Sequence, residues 1–108
     1  MFEVKETSPS TELRNSHTVV GTTPTQLTNL SYKFVRGIII RAPGPNDDNP
    51  NVAIVYVGGS SVTADYSATG GVPLPPGSSL ELPVDDPSQV YVVVAAGVSP
   101  QDVAWMGV

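Results

Sequence analysis

The sequence predicts an all-β fold: a single-domain antiparallel β-sandwich, jelly-roll-like, with an extended N-terminal arm. Three observations lead there. Short runs rich in Val, Ile, Thr and Tyr recur at nearly regular spacing, Gly/Pro/Asn/Asp clusters separate them, and no stretch carries the apolar periodicity of a long helix. Ten glycines and eleven prolines in 108 residues exceed the usual combined share of about 12%, while charged residues, at 14%, fall below the usual share of about 25%. A coiled coil would show the reverse. A chain of this length buries one core, so a second domain is not expected.

Residues 1–16 are polar, rich in Ser, Thr and Glu and aperiodic, which marks them as the arm; residues 17–108 form the sandwich domain. The candidate strands are His17–Val20, Gln26–Leu30, Phe34–Arg41, Val52–Gly58, Val62–Asp65, Ser79–Val84, Val90–Ala95 and Val103–Val108. Eight strands suit a two-sheet jelly roll. Ala42–Asn51 reads as an exposed loop, because its three prolines cannot donate to a ladder and its Asn, Asp and Gly residues favour turns. Gly70–Gly77, with Pro73, Pro75 and Pro76, reads as a second loop, and Gly58–Ser61 as a hairpin turn. Asp85–Ser88 is a break short enough to join antiparallel neighbours.

Alternation separates half-buried from fully apolar strands. Leu80, Leu82 and Val84 share one face, and Ser79, Glu81 and Pro83 the other. Gly37–Ile40, Val52–Val57 and Tyr91–Ala96 are apolar on both faces, so either loops or other subunits are expected to cover them.

Charge and chemistry exclude several classes. A net charge of −5 with scattered basic residues argues against a nucleic-acid surface. The apolar runs are shorter than the roughly 20 residues of a membrane helix, and Glu3, Lys5 and Glu6 interrupt any signal-like start, so a soluble protein of its compartment of synthesis is expected. Cysteine is missing, which removes disulfides, thiolate nucleophiles and Cys-type zinc sites. His17 is the one histidine, too few for a zinc site or a cupin-type metal cluster, and no nucleophile elbow accompanies it. Neither a catalytic residue, a cofactor site nor a metal site is assigned, and the chain is read as a non-enzyme. Asn46–Asn49 and Asp85–Asp86 supply clustered oxygens but lack the ligand spacing of an EF-hand, so hydrated turns are the expected role and calcium stays open. Glycoside hydrolysis would need aromatic platforms around paired carboxylates, and Trp105 is the only tryptophan. Tyr56 and Tyr91 are expected as buried sandwich aromatics.

From about Pro24 onward the chain resembles small virion proteins of tailed phages. The resembling elements are Thr25–Thr28, Gly37–Ala42, Asn51–Gly58, Pro75–Leu82, Val84–Val92 and Val103–Trp105. The resemblance implies a structural protein of a tailed bacteriophage, of the capsid decoration (cement) type, stabilising the head by bridging capsomers. It implies the major capsid protein as partner, a homotrimer, a capsid-surface location after synthesis in the host cytoplasm, and no cofactor, nucleic acid or membrane. The residues expected at interfaces are Phe2, Val4, Ile38, Ile40, Tyr66 and Trp105. A tail or neck component is the nearest alternative, and a receptor- or glycan-binding sandwich using Tyr66 is another.

Overall fold

The computed structural model describes residues 14–34 and 36–107. Its strands in chain order are β1 (Arg14–Val20), β2 (Thr25–Gln26), β3 (Ile38–Arg41), β4 (Val55–Gly58), β5 (Val72–Leu74), β6 (Ser79–Leu82), β7 (Tyr91–Val93) and β8 (Gln101–Gly107). Among the described residues the helical element is one 3-10 turn, Pro87–Gln89. Sheet A has the order β1-β8-β3-β6 and sheet B the order β2-β7-β4-β5. Every strand pairing is antiparallel, so the expected all-β sandwich is the fold.

The pairing is nested. β1 lies on β8, β2 on β7, β3 on β6 and β4 on β5, so the first half of the chain runs back along the second as one ribbon. Bending that ribbon over places successive rungs in alternate sheets, and the β8–β3 and β7–β4 pairings knit each sheet together.

Register decides which side chains fill the interior. Ile40 stands opposite both Trp105 and Leu80, and Ile38 opposite Gly107 and Leu82. These residues face sheet B, where Val55, Val57, Leu74 and Val92 complete the core. An aromatic group closes one end: Tyr32 and Phe34 stack at 5.7 Å between centroids, and each lies 6.4 Å from Trp105. The Arg14 guanidinium sits 4.8 Å from the centre of the Tyr32 ring and ties the start of β1 to this group. Gly107 must lack a side chain, because a Cβ there would collide with the Phe34 ring.

Several strand expectations are corrected. Val62–Asp65 is a loop whose one ladder contact is an isolated bridge from Thr63 to Gly70. The missing strand is β5, inside the stretch read as the Gly70–Gly77 loop. Pro73 is tolerated because β5 is the outer strand of sheet B, where only one edge hydrogen-bonds. β3 begins at Ile38, since Gly37 at φ 107° turns the chain and the Phe34 amide donates instead to Asp85 O at 2.7 Å. β2 stops at Gln26 because the chain then turns, with the Leu30 amide donating to Thr28 Oγ1. β1 starts at Arg14, within the segment read as arm, and residues 1–13 of that arm lie outside the described residues.

The Asp85–Ser88 break does not join neighbours. β6 belongs to sheet A and β7 to sheet B, so this connection crosses the sandwich. Asp86 turns it: Oδ1 accepts from the amide and hydroxyl of Ser88, capping the 3-10 turn, while Oδ2 accepts from Ser31 Oγ at 2.6 Å. Another crossing, between β3 and β4, is held by two buried amide side chains. Gln101 Oε1 accepts from the Val52 and Ala53 amides at 2.7 and 3.0 Å, which is why β4 begins only at Val55. Asn51 exchanges two hydrogen bonds with the Asp102 backbone. The Ala42–Asn51 loop is exposed in its middle, whereas Ala42, Gly44 and Asn51 are buried.

Candidate interaction surface

The two sheets treat their outer faces differently. On sheet B, Val93 points away from the core, since its neighbour Val92 points in, yet Val93 is only 3% exposed. The β4–β5 connection covers it. Val62 from that connection is also buried outside the central core, and it lines one cleft together with Val93, Thr63 and Ala95. Glycines make room for it: a Cβ on Gly58 or Gly71 would come within 2.8 or 2.6 Å of Val62 Cγ2. Hydrogen bonds hold the cover in shape, from the Thr63 amide to Thr69 O and from the Gly71 amide to Thr63 O. Tyr56 and Tyr91, expected as buried aromatics, are half-buried on this outer side.

Sheet A has no such cover among the described residues. Its outer face carries the row Asn15, Met106, Ile39, Glu81 and the row His17, Ala104, Arg41, Ser79. Ile39 and Met106 stand side by side, each 39% exposed, and Val19 on β1 is 67% exposed. Beside them a groove of about 580 Å³ opens at the Gly107 end of the sheet. Its apolar lining includes Ile39, Leu82, Pro83 and Met106, and Arg36 and Glu81 bring charges of opposite sign.

The expected interface residues divide accordingly. Ile38, Ile40 and Trp105 are buried in the core, which corrects their assignment to an interface. In an alternating strand Ile39 shares its face with Arg41, and the charge of Arg41 keeps that face in water. Tyr66 is 85% exposed. Phe2 and Val4 lie outside the described residues. Ile39 and Met106 were missed as surface residues, although the parity of Ile39 with Arg41 was a usable signal.

The acidic loops are organised by hydrogen bonds to their carboxylates. Asp47 Oδ2 accepts from the Gly44 amide and from Arg41 Nη1, both at 2.7 Å. The amide first and the guanidinium second hold its carboxyl below the ordinary value. Asp65 Oδ1 accepts from Ser67 Oγ, the Ser67 amide and Thr63 Oγ1, which lower its pKa. The Asp86 carboxyl is lowered first by the Ser31 hydroxyl and then by Ser88. Among the described residues no three His, Asp or Glu side chains gather as metal ligands. His17 is exposed on β1 opposite Ala104. No helix of the described residues is long and apolar enough to cross a membrane. Compared with protein-family models, curated proteins and solved structures, the chain finds no match in any of the three.

Proposed function

We propose that this chain is a structural virion protein of a tailed bacteriophage, a capsid decoration (cement) protein that stabilises the head by bridging capsomers. The carrying observation is the open face of sheet A, where Ile39 and Met106 meet water beside an apolar groove while the opposite face is covered by the chain's own loop. Contiguous apolar surface rimmed by polar residues suits a protein partner, here the major capsid protein. We also infer that the nested ribbon is a jelly roll, from the order 1-8-3-6 over 2-7-4-5. Jelly rolls recur in viral capsid and lectin domains, an analogy of fold that supports the reading without carrying it. A trimer with closed cyclic symmetry is the assembly proposed, made in the host cytoplasm and working without a cofactor. Particles prepared with and without the protein test this. Loss of heat or low-salt resistance in its absence is the expected result, and equal resistance overturns it. Electron microscopy of particles labelled on this chain separates a head position from a tail or neck position.

A receptor- or glycan-binding role is the second reading, favoured by Tyr66, exposed in a loop that the Asp65, Ser67 and Thr63 hydrogen bonds organise. Glycan-array binding that Tyr66→Ala abolishes would select it over the first.

A further inference from the structure

We propose that the groove at the Gly107 end of sheet A is the docking site for the chain's own segment Phe2–Lys5. At about 580 Å³ the groove falls within the range of roughly 300–1,000 Å³ typical of concave binding sites. Three features select this occupant. Phe2-Glu3-Val4-Lys5 alternates apolar and charged residues, so in extended form Phe2 and Val4 share one side and Glu3 and Lys5 the other. Its apolar side matches Ile39, Pro83 and Met106; with that side down, Glu3 and Lys5 stand on the water side, where the exposed Arg36 and Glu81 extend from the groove rim to meet them with opposite signs.

Position is the third feature. The described chain enters at Arg14, which pairs with Gly107, itself at the groove. β3 lies two strand spacings from β1, about 10 Å. Residues 6–13 form an eight-residue tether that reaches about 26 Å when extended, ample for the segment to return over this end of the sheet. So short a tether keeps the segment at an effective concentration in the millimolar range. At micromolar protein the chain's own segment therefore outcompetes that of a second copy. Docking covers in the isolated chain the patch that the virion reading gives to the capsid, so on that reading the capsid displaces the segment; failure of docking leaves the patch open and the virion reading standing.

Methyl-labelled NMR spectra of the full chain provide the test. In the double variant Phe2→Asp/Val4→Asp the Ile39 and Met106 methyl signals are expected to shift relative to the unsubstituted chain, while buried Ile40 keeps its position and reports an intact core. Arg36→Glu should reproduce that shift, and adding Glu3→Arg should reverse it. The wild-type positions should hold on dilution from the millimolar to the micromolar range. Unchanged Ile39 and Met106 signals in both variants overturn the proposal. Signals that move on dilution together with a change of oligomeric state overturn it too, by assigning the groove to a second copy.

Discussion

Among the described residues, sheets A and B contain four strands each and share one core, but of these residues only a sheet B connection covers an outer face. There the β4–β5 connection folds back, Val62 fits between Gly58 and Gly71, and Val93 is removed from water. Over sheet A the row from Met106 to Ile39 stays accessible. Both outer faces carry apolar residues, so hydrophobicity alone does not separate a finished surface from an unfinished one. What separates them is whether a connection has glycines where a side chain must enter.

The sharpest break of this contrast lies within β8, whose successive residues Trp105 and Met106 face in and out. Trp105→Ala should lose about 3–5 kcal/mol by opening a cavity in the core. Met106→Ser, in the Phe2→Asp/Val4→Asp background that leaves the face open, should stay within about 0.5 kcal/mol, as surface changes do. Denaturant titration of both variants measures this, and comparable losses would mean that the outer face is buried after all. Gln101→Ala should come next, at about 1–3 kcal/mol, because the Val52 and Ala53 amides would lose their shared acceptor, two bonds at about 0.5–1.5 kcal/mol each. Faster amide exchange at those two residues would locate the effect, and unchanged exchange would refute it.

Val62→Ala removes two methyl groups from the cover and should cost about 1.6 kcal/mol at roughly 0.8 kcal/mol per group. Ile39→Ala, with the Phe2→Asp/Val4→Asp pair keeping sheet A open, should cost less than about 0.5 kcal/mol. A reversed order in thermal melts would put the cover on the wrong sheet.

Acid sensitivity is the mildest test. Asp47, Asp65 and Asp86 all have carboxyl groups lowered from 3.8 by hydrogen bonds made only in the fold. The unfolded chain therefore takes up protons first, so their stabilisation is present above about pH 4 and disappears as pH falls through the lowered folded values. Replacing all three by Asn should flatten the stability curve below pH 4 and leave its slope near neutrality unchanged; an unaltered acid limb would show that these bonds contribute nothing. Asp65→Asn alone should loosen the sheet B cover, read as faster exchange at Ser67 and Gly71.

Parts of this arrangement were legible beforehand and parts were not, for physical reasons. The alternation of Ser79–Val84 is local, and Leu80, Leu82 and Val84 do pack against the core. The exposure of Tyr66 followed from its loop setting. Ile38, Ile40 and Trp105 are expected at an interface because their runs are apolar on both faces; the parity of Ile39 with Arg41 already turns Ile38 and Ile40 inward, and the pairing of Ile40 with Trp105 places all three in the core. Asn51 and Gln101 gave no local signal, since each acts on a backbone about fifty residues away. Pro73 suggested a loop, because nothing in a short sequence reveals that a strand will lie at an edge.

From its sequence alone this chain is an all-β sandwich with one core, because β-branched runs, turn residues and the shortage of charge act over a few neighbouring residues. Tertiary structure alone decided which sheet each strand joins, that Asp85–Ser88 crosses between sheets, and which apolar face remains in water. Those outcomes depend on pairing between distant segments, where one register satisfies backbone hydrogen bonds and core volume together.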